Sequence, residues 1–218
     1  MAEKERKLTK AEARRVENFA VLSERLQSEG YKVTKCDVSA AKVNIYTLVL
    51  FIPFGIVYWL LFRLTGTPLI NIEVIDYFDN VAVLIAVAIG IYVVSSAIMI
   101  VVHEALHGLT WALFCKNRFQ SIQFGIIPRN LMAYCTCLEP LDFKAYLVGA
   151  MMPLVVLGFG VFAVSLITGS LYWFLFANFA TLGAGGDMSI VLMLLGHRQA
   201  LLLDHPTEPG FYAFEKTT

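Results

Sequence analysis

The chain has 218 residues, 58% of them hydrophobic, a mean hydropathy of +0.68 and a formal net charge of zero. A soluble domain averages about 45–50% apolar residues even with glycine counted, so the excess argues against a water-soluble globular protein and for a membrane protein. The neutral balance gives no footprint for a nucleic-acid partner, and the four cysteines, Cys36, Cys115, Cys135 and Cys137, show no CxxC spacing. They read as small apolar residues kept reduced, with Cys135 and Cys137 as a lesser candidate metal or redox pair.

The first 20 residues are charged throughout and contain no apolar core of a cleavable signal. Thr9 and Glu12 fit a capping box, Val16, Phe19, Leu22 and Leu26 form an uneven apolar stripe, and Gly30 is a natural stop. This spacing predicts an N-terminal helix, and "YKVTKCD" alternates weakly enough to suggest a short strand. A bilayer core of about 30 Å needs roughly 20 mostly apolar residues, and four stretches qualify. They are about 43–64, from Val81 through "AVLIAVAIGIYVVSSAIMIVV", about 145–167 and about 171–196.

The expected organisation is an N-terminal segment over 1–42, a four-span domain over 43–196 and a tail over 197–218. The loop over about 116–144 contains two β-prone runs, "SIQFGII" and "MAYCTCLE", separated by "PRNL" and read as a hairpin. The fold class is thus an all-α membrane protein of four transmembrane helices, with a small cytoplasmic β-hairpin and an N-terminal cytoplasmic helix. Lys32, Lys35 and Lys42 precede the first span, and Lys116, Arg118, Arg129 and Lys144 lie between the second and third. The loop between the first two spans carries three acids and one edge arginine. The positive-inside rule then places both termini in the cytoplasm of a multi-pass cell-membrane protein.

The ionisable residues at membrane depth carry the chemistry. They are His103, Glu104, His107 and Asp187, with Arg63 at an edge and His197 just past the last span. Such residues cost several kcal/mol in a bilayer and point to function. His103 and His107 are four apart, so a helix sets both imidazoles on one face, one turn apart, within reach of one ion. Glu104 falls on an adjacent face, where it suits a base acting on water better than a ligand. This is the HExxH arrangement of zinc hydrolases. The plainer alternative is a histidine–glutamate cluster satisfied at the headgroup interface.

Catalytic zinc takes three protein ligands and keeps one position open. Asp187, in "NFATLGAGGDMSI", is the favoured third ligand, with Glu139 and His197 as the other donors. Straight, level helices would set Asp187 and His103 about 9 Å apart in depth, at 1.5 Å per residue. A tilt of the long second span, or unwinding at Gly183, Gly185 and Gly186, would close that gap.

"HEALHG", "FQSIQFGIIPRNLMAYCTCLEPL", "GAMMPLVVLG" and the late Asp187 together resemble a bacterial membrane family of zincin peptidases, and more distantly the site-2 intramembrane metalloproteases. The resemblance runs from about Glu29 to His197, with HExxH as its specific part. It implies a zinc site of His103, His107 and Asp187, with Glu104 as catalytic base. Site-2 proteases carry their aspartate in an Asn-Pro-containing stretch ending Asp-Gly. Here Asn178 precedes Asp187 as a candidate substrate-binding residue, but no proline intervenes and Met188 follows. No PDZ-like insertion is present.

The expected function is a membrane-embedded zinc metalloprotease, with Zn²⁺ as cofactor and the lipid bilayer and a membrane protein or peptide as partners. A non-catalytic metal-binding regulator and a small transporter are the alternatives. An intact Glu104 counts against the first, and four spans with one acid cluster near one face make a poor complete path for the second.

Overall fold

The computed structural model describes residues 9–67, 80–127 and 132–217. Helix α1 (Lys10–Ser28) begins at the expected capping box: Thr9 Oγ1 accepts from the Glu12 backbone N–H at 3.2 Å, and the Glu12 carboxylate accepts from the Thr9 backbone N–H at 2.8 Å. Gly30, at φ +87°, ends the turn after it in the left-handed region. Strand β1 (Tyr31–Asp37) follows.

Among the described residues three helices are long and apolar enough to cross a membrane: α2 (Ala40–Leu64), α3 (Val81–Phe114) and α4 (Phe143–Thr168). At 34 residues α3 is about 51 Å long, well beyond a hydrocarbon core of about 30 Å. Pro153 lacks the N–H an ordinary turn would use, and α4 widens into a π-helical stretch from Leu154 to Gly160 just after it. Helices α5 (Leu171–Gly183) and α6 (Gly185–Leu194) meet at Ala184 with a 40° bend and together are apolar enough for either one broken span or a re-entrant loop. Ile45, Leu48, Val49 and Ile52 on α2, and Val83, Ile89, Val93 and Val94 on α3, are all exposed. A continuous apolar surface of this kind is consistent with a lipid environment.

The expected hairpin is present. Strand β2 (Ile122–Ile127) pairs antiparallel with β3 (Met132–Cys137), Phe124 opposite Cys135. Its turn, with Arg129, lies outside the described residues, as does the acidic loop ahead of α3. The segment over 197–218, expected as a tail, carries two strands. Strands β5 (Leu201–Asp204) and β6 (Gly210–Lys216) join β1 and the two-residue β4 (Leu141–Asp142) in an antiparallel sheet of order β1-β6-β5-β4. Helix α1 lies against it, Phe19 stacking on Tyr212 at 4.1 Å and packing with Leu26 and Phe214. A second core, with Trp111, Tyr146, Leu202 and Phe211, joins the ends of α3 and α4 to this sheet.

Candidate metal centre

His103 and His107 point from one face of α3 into the interior, at 8% and 4% exposure. Helix α6 brings Asp187 to them from its first turn. Asp187 Oδ2 lies 3.1 Å from His103 Nε2, Oδ1 lies 3.4 Å from His107 Nε2, and the two Nε2 atoms are 3.3 Å apart. Among the described residues this is the group of three or more histidine, cysteine or carboxylate side chains able to hold a metal. The depth mismatch expected of straight, level helices is absent, and the helix pair that carries Asp187 is bent by 40° at Ala184.

The donor chemistry fits a zinc ion. Metal–nitrogen and metal–oxygen bonds of about 2.0–2.1 Å in a tetrahedron need ligand atoms about 3.3 Å apart, and the separations here bracket that value. His107 Nδ1–H donates to the Gly149 carbonyl oxygen at 2.8 Å. The Nε2 lone pair of His107 therefore faces the carboxylate and the second imidazole. Electron-rich atoms converging in a buried site call for a positive centre between them. The Gly149 contact is also the outer bond that orients a metal-binding imidazole.

The surrounding packing fixes the cluster. Trp111 stacks on His107 with centroids 5.2 Å apart and donates through Nε1 to the Tyr146 carbonyl oxygen at 3.2 Å. A side chain at Gly149 would enter that indole, and one at Gly108 would strike Phe124 and Ile122 of β2. Both glycines permit close approach, of α4 and of the hairpin respectively. Glu104 is half-buried beside the histidines, with the Cys135 backbone N–H turned toward it. The outer edge of β3 thus faces the site.

The other expected donors lie elsewhere. Glu139 accepts from the Ser121 hydroxyl, from the backbone N–H groups of Lys116 (2.8 Å) and Asn117 (3.1 Å), and from Asn117 Nδ2 (2.8 Å). Burial acts to raise its pKa, but these donors outweigh it and hold the carboxyl below its ordinary value. It caps the turn leaving α3. His197 pairs with Glu215 through Nδ1 at 2.8 Å and meets Cys36 Sγ at 3.3 Å. Asn178 Nδ2 donates to the Phe174 carbonyl oxygen one turn back in its own helix. The four cysteines are free; Cys137 packs on Cys115, with sulfurs 3.2 Å apart, and neither joins the metal cluster.

Sequence reasoning missed Asp204. It accepts from Tyr146 Oη at 2.5 Å and from the Cys137 backbone N–H at 2.7 Å. Burial pushes its carboxyl above the ordinary range, against these hydrogen bonds that favour the anion. An acid directly after three leucines in "LLLDHPTEPG" was the available signal. A cavity of about 200 Å³ runs from Asp187 past Asp204 toward α1.

No curated protein and no solved structure matches the chain. A family model described as "Putative zincin peptidase" matches residues 96–202. That span takes in His103, Glu104, His107 and Asp187, so the match is to the zincin-peptidase family that the sequence resembles, a family that implies zinc as the cofactor.

Proposed function

We propose that this protein is a membrane-embedded zinc metallopeptidase of site-2-protease-like type, cleaving peptide bonds of membrane or membrane-proximal substrates. The observation that carries the reading is the convergence of His103, His107 and Asp187 at tetrahedral-ligand spacing, with a carboxylate beside them that is not a member of the cluster. His103, His107 and Asp187 would hold the ion. Zinc, when bound, supplies Lewis acidity toward water and a peptide carbonyl. Glu104 takes the proton from the attacking water and returns it to the leaving amine. Its place one residue after His103, about 100° around the helix, lets it reach the water without occupying a ligand position.

A helical substrate has its carbonyls already hydrogen-bonded, so it must unwind before attack. The outer edge of β3, turned toward Glu104, suits an extended chain added as a strand. A contact from Asn178 to substrate would require it to leave its helix-internal bond. Topology favours the same reading. Strands β1, β4, β5 and β6 share one sheet, so the segments before α2, between α3 and α4 and after α6 lie on one side. This supports the bent α5–α6 pair as a fourth crossing, and the basic residues of those segments support a cytoplasmic sheet.

The test is Glu104→Gln in the purified protein. Glutamine keeps the shape and an acceptor oxygen but cannot take a proton. The variant is expected to retain zinc and to lose cleavage of a transmembrane peptide by ~10²–10⁴-fold. Cleavage at the wild-type rate would refute the reading.

A further inference from the structure

Arg15 is the unusual cation of the water-side region. It is only 7% exposed, on the face of α1 that turns toward the cavity. Its Nε donates to the Pro206 carbonyl oxygen at 2.8 Å and its Nη1 to Tyr134 Oη at 2.6 Å, and the guanidinium lies over the Tyr134 ring, 4.6 Å from the centroid. Every one of these partners is neutral. Among the described residues no carboxylate reaches ion-pair distance of it. Burying an arginine with no counter-charge is costly. A guanidinium has five N–H donors in a rigid fork suited to a carboxylate. The two hydrogen bonds and the aromatic face fix that fork in place.

The cavity that Arg15 lines also reaches Asp187. The acids around it are already engaged or screened. Asp187 is held by the two histidines, Asp204 by Tyr146 and Cys137, and Glu208 is exposed at the turn. The cavity is thus lined both by one member of the metal cluster, Asp187, and by an uncompensated cation, Arg15. We infer that Arg15 is a specificity-determining residue that binds a carboxylate of the peptide substrate, a few residues from the bond cleaved. The inference rests on the peptidase reading. It places the selectivity on α1, outside the segment 96–202 that matches the family. The carboxylate comes from an acidic side chain or from the substrate's own C-terminus, and the experiment separates the two.

Zinc-loaded Glu104→Gln protein is titrated with fluorescent apolar decapeptides in which one glutamate is moved through each position. Each is compared with its glutamine counterpart, and the free-acid peptide with its amide. One register, or the free terminus, is expected to bind ~10-fold or more tighter as the anion, as a charge-assisted hydrogen bond requires. Arg15→Met, which keeps the aliphatic stem, is expected to reduce that ratio to about two-fold or less. No discrimination at any register, or full discrimination in Arg15→Met, overturns the proposal. If Arg15→Met fails to hold zinc, a diazirine replacing the preferred carboxylate decides on the unaltered arginine. Adducts within 11–18 or 205–210 support the contact, and adducts confined elsewhere overturn it. Cleavage of the same peptides by wild-type protein is scored separately. Charge-selective binding without cleavage keeps Arg15 and refutes the peptidase, whereas cleavage blind to charge does the reverse.

Discussion

Gly149→Ala tests how the packing of α4 on α3 sets the metal site. The added Cβ falls among Nε1, Cδ1 and Cε2 of Trp111. The indole cannot swing aside, because it stacks on His107 and donates to the Tyr146 carbonyl oxygen. The two helices must therefore part, and overpacking of this kind costs about 1–3 kcal/mol. The same residue supplies the carbonyl that accepts from His107 Nδ1–H at 2.8 Å, so separating the helices stretches the bond that aims His107 Nε2. Loss of such an outer partner weakens metal binding by ~10–100-fold. The expected outcome is a zinc dissociation constant raised by that factor in competition with a chromophoric chelator, together with a lower melting temperature. Gly90→Ala is the control: it lies on α3, and nothing stands within 4 Å of its added Cβ. It should leave zinc affinity unchanged. A Gly149→Ala protein with wild-type zinc affinity would refute the reasoning.

Asp187→Ala is expected to lose most bound zinc, while Glu139→Ala and His197→Ala keep it, read by metal analysis of purified protein; full stoichiometry in Asp187→Ala would exclude it as a ligand. His205 gives a pH signature. Burial, with help from Lys35, lowers its pKa from 6.5 to about 4, and its Nδ1 accepts from the backbone N–H groups of Thr207 and Glu208. Between those values the unfolded chain binds the proton and the folded one does not, so stability is fully present above about 6.5 and is lost as pH falls toward about 4. Melting curves at pH 7 and pH 5 should show a smaller drop in His205→Asn, which keeps an acceptor that does not titrate; equal drops would refute the assignment. For topology, cysteines placed at Ala2 and Ile72 should label from the cytoplasmic and outer sides respectively, and outer labelling at position 2 would reverse the orientation.

The parts legible in the sequence were those set by local chemistry. The Thr9–Glu12 capping box, the paired histidines one turn apart and the β-prone runs on either side of residues 128–131 each announce themselves within a few residues. Asp187 was legible because an acid in an apolar run is costly unless something compensates it. The sheet was not, because β4 has two residues and β5 four, too few to show a period-2 pattern. Its register pairs Tyr31 with Lys216, near opposite ends of the chain. Arg15 carries no signal in the sequence, because its partners, the Pro206 carbonyl and Tyr134, lie 191 and 119 residues away along the chain. The glycines around Ala184 were read as freedom to unwind, and the structure adds a second role. Gly185 sits against Thr47 of α2, where a side chain would collide.

The C-terminal hairpin is part of the site rather than an appendage to the membrane domain. Asp204 of β5 takes hydrogen bonds from Tyr146 of α4 and from the backbone of Cys137 on β3. Tyr146 in turn accepts from Trp111, whose ring packs on His107. A continuous set of contacts therefore runs from the four-stranded sheet to a metal-cluster histidine. Without the Asp204 carboxylate, the buried Tyr146 hydroxyl and the Cys137 N–H would lose their acceptor, an arrangement that costs about 1–3 kcal/mol per group. An apolar helix bundle has few polar groups of its own with which to orient buried ligands. Here the sheet supplies them at the end of α3 and α4, which explains why the HExxH motif lies toward that end of a 34-residue helix rather than at its middle.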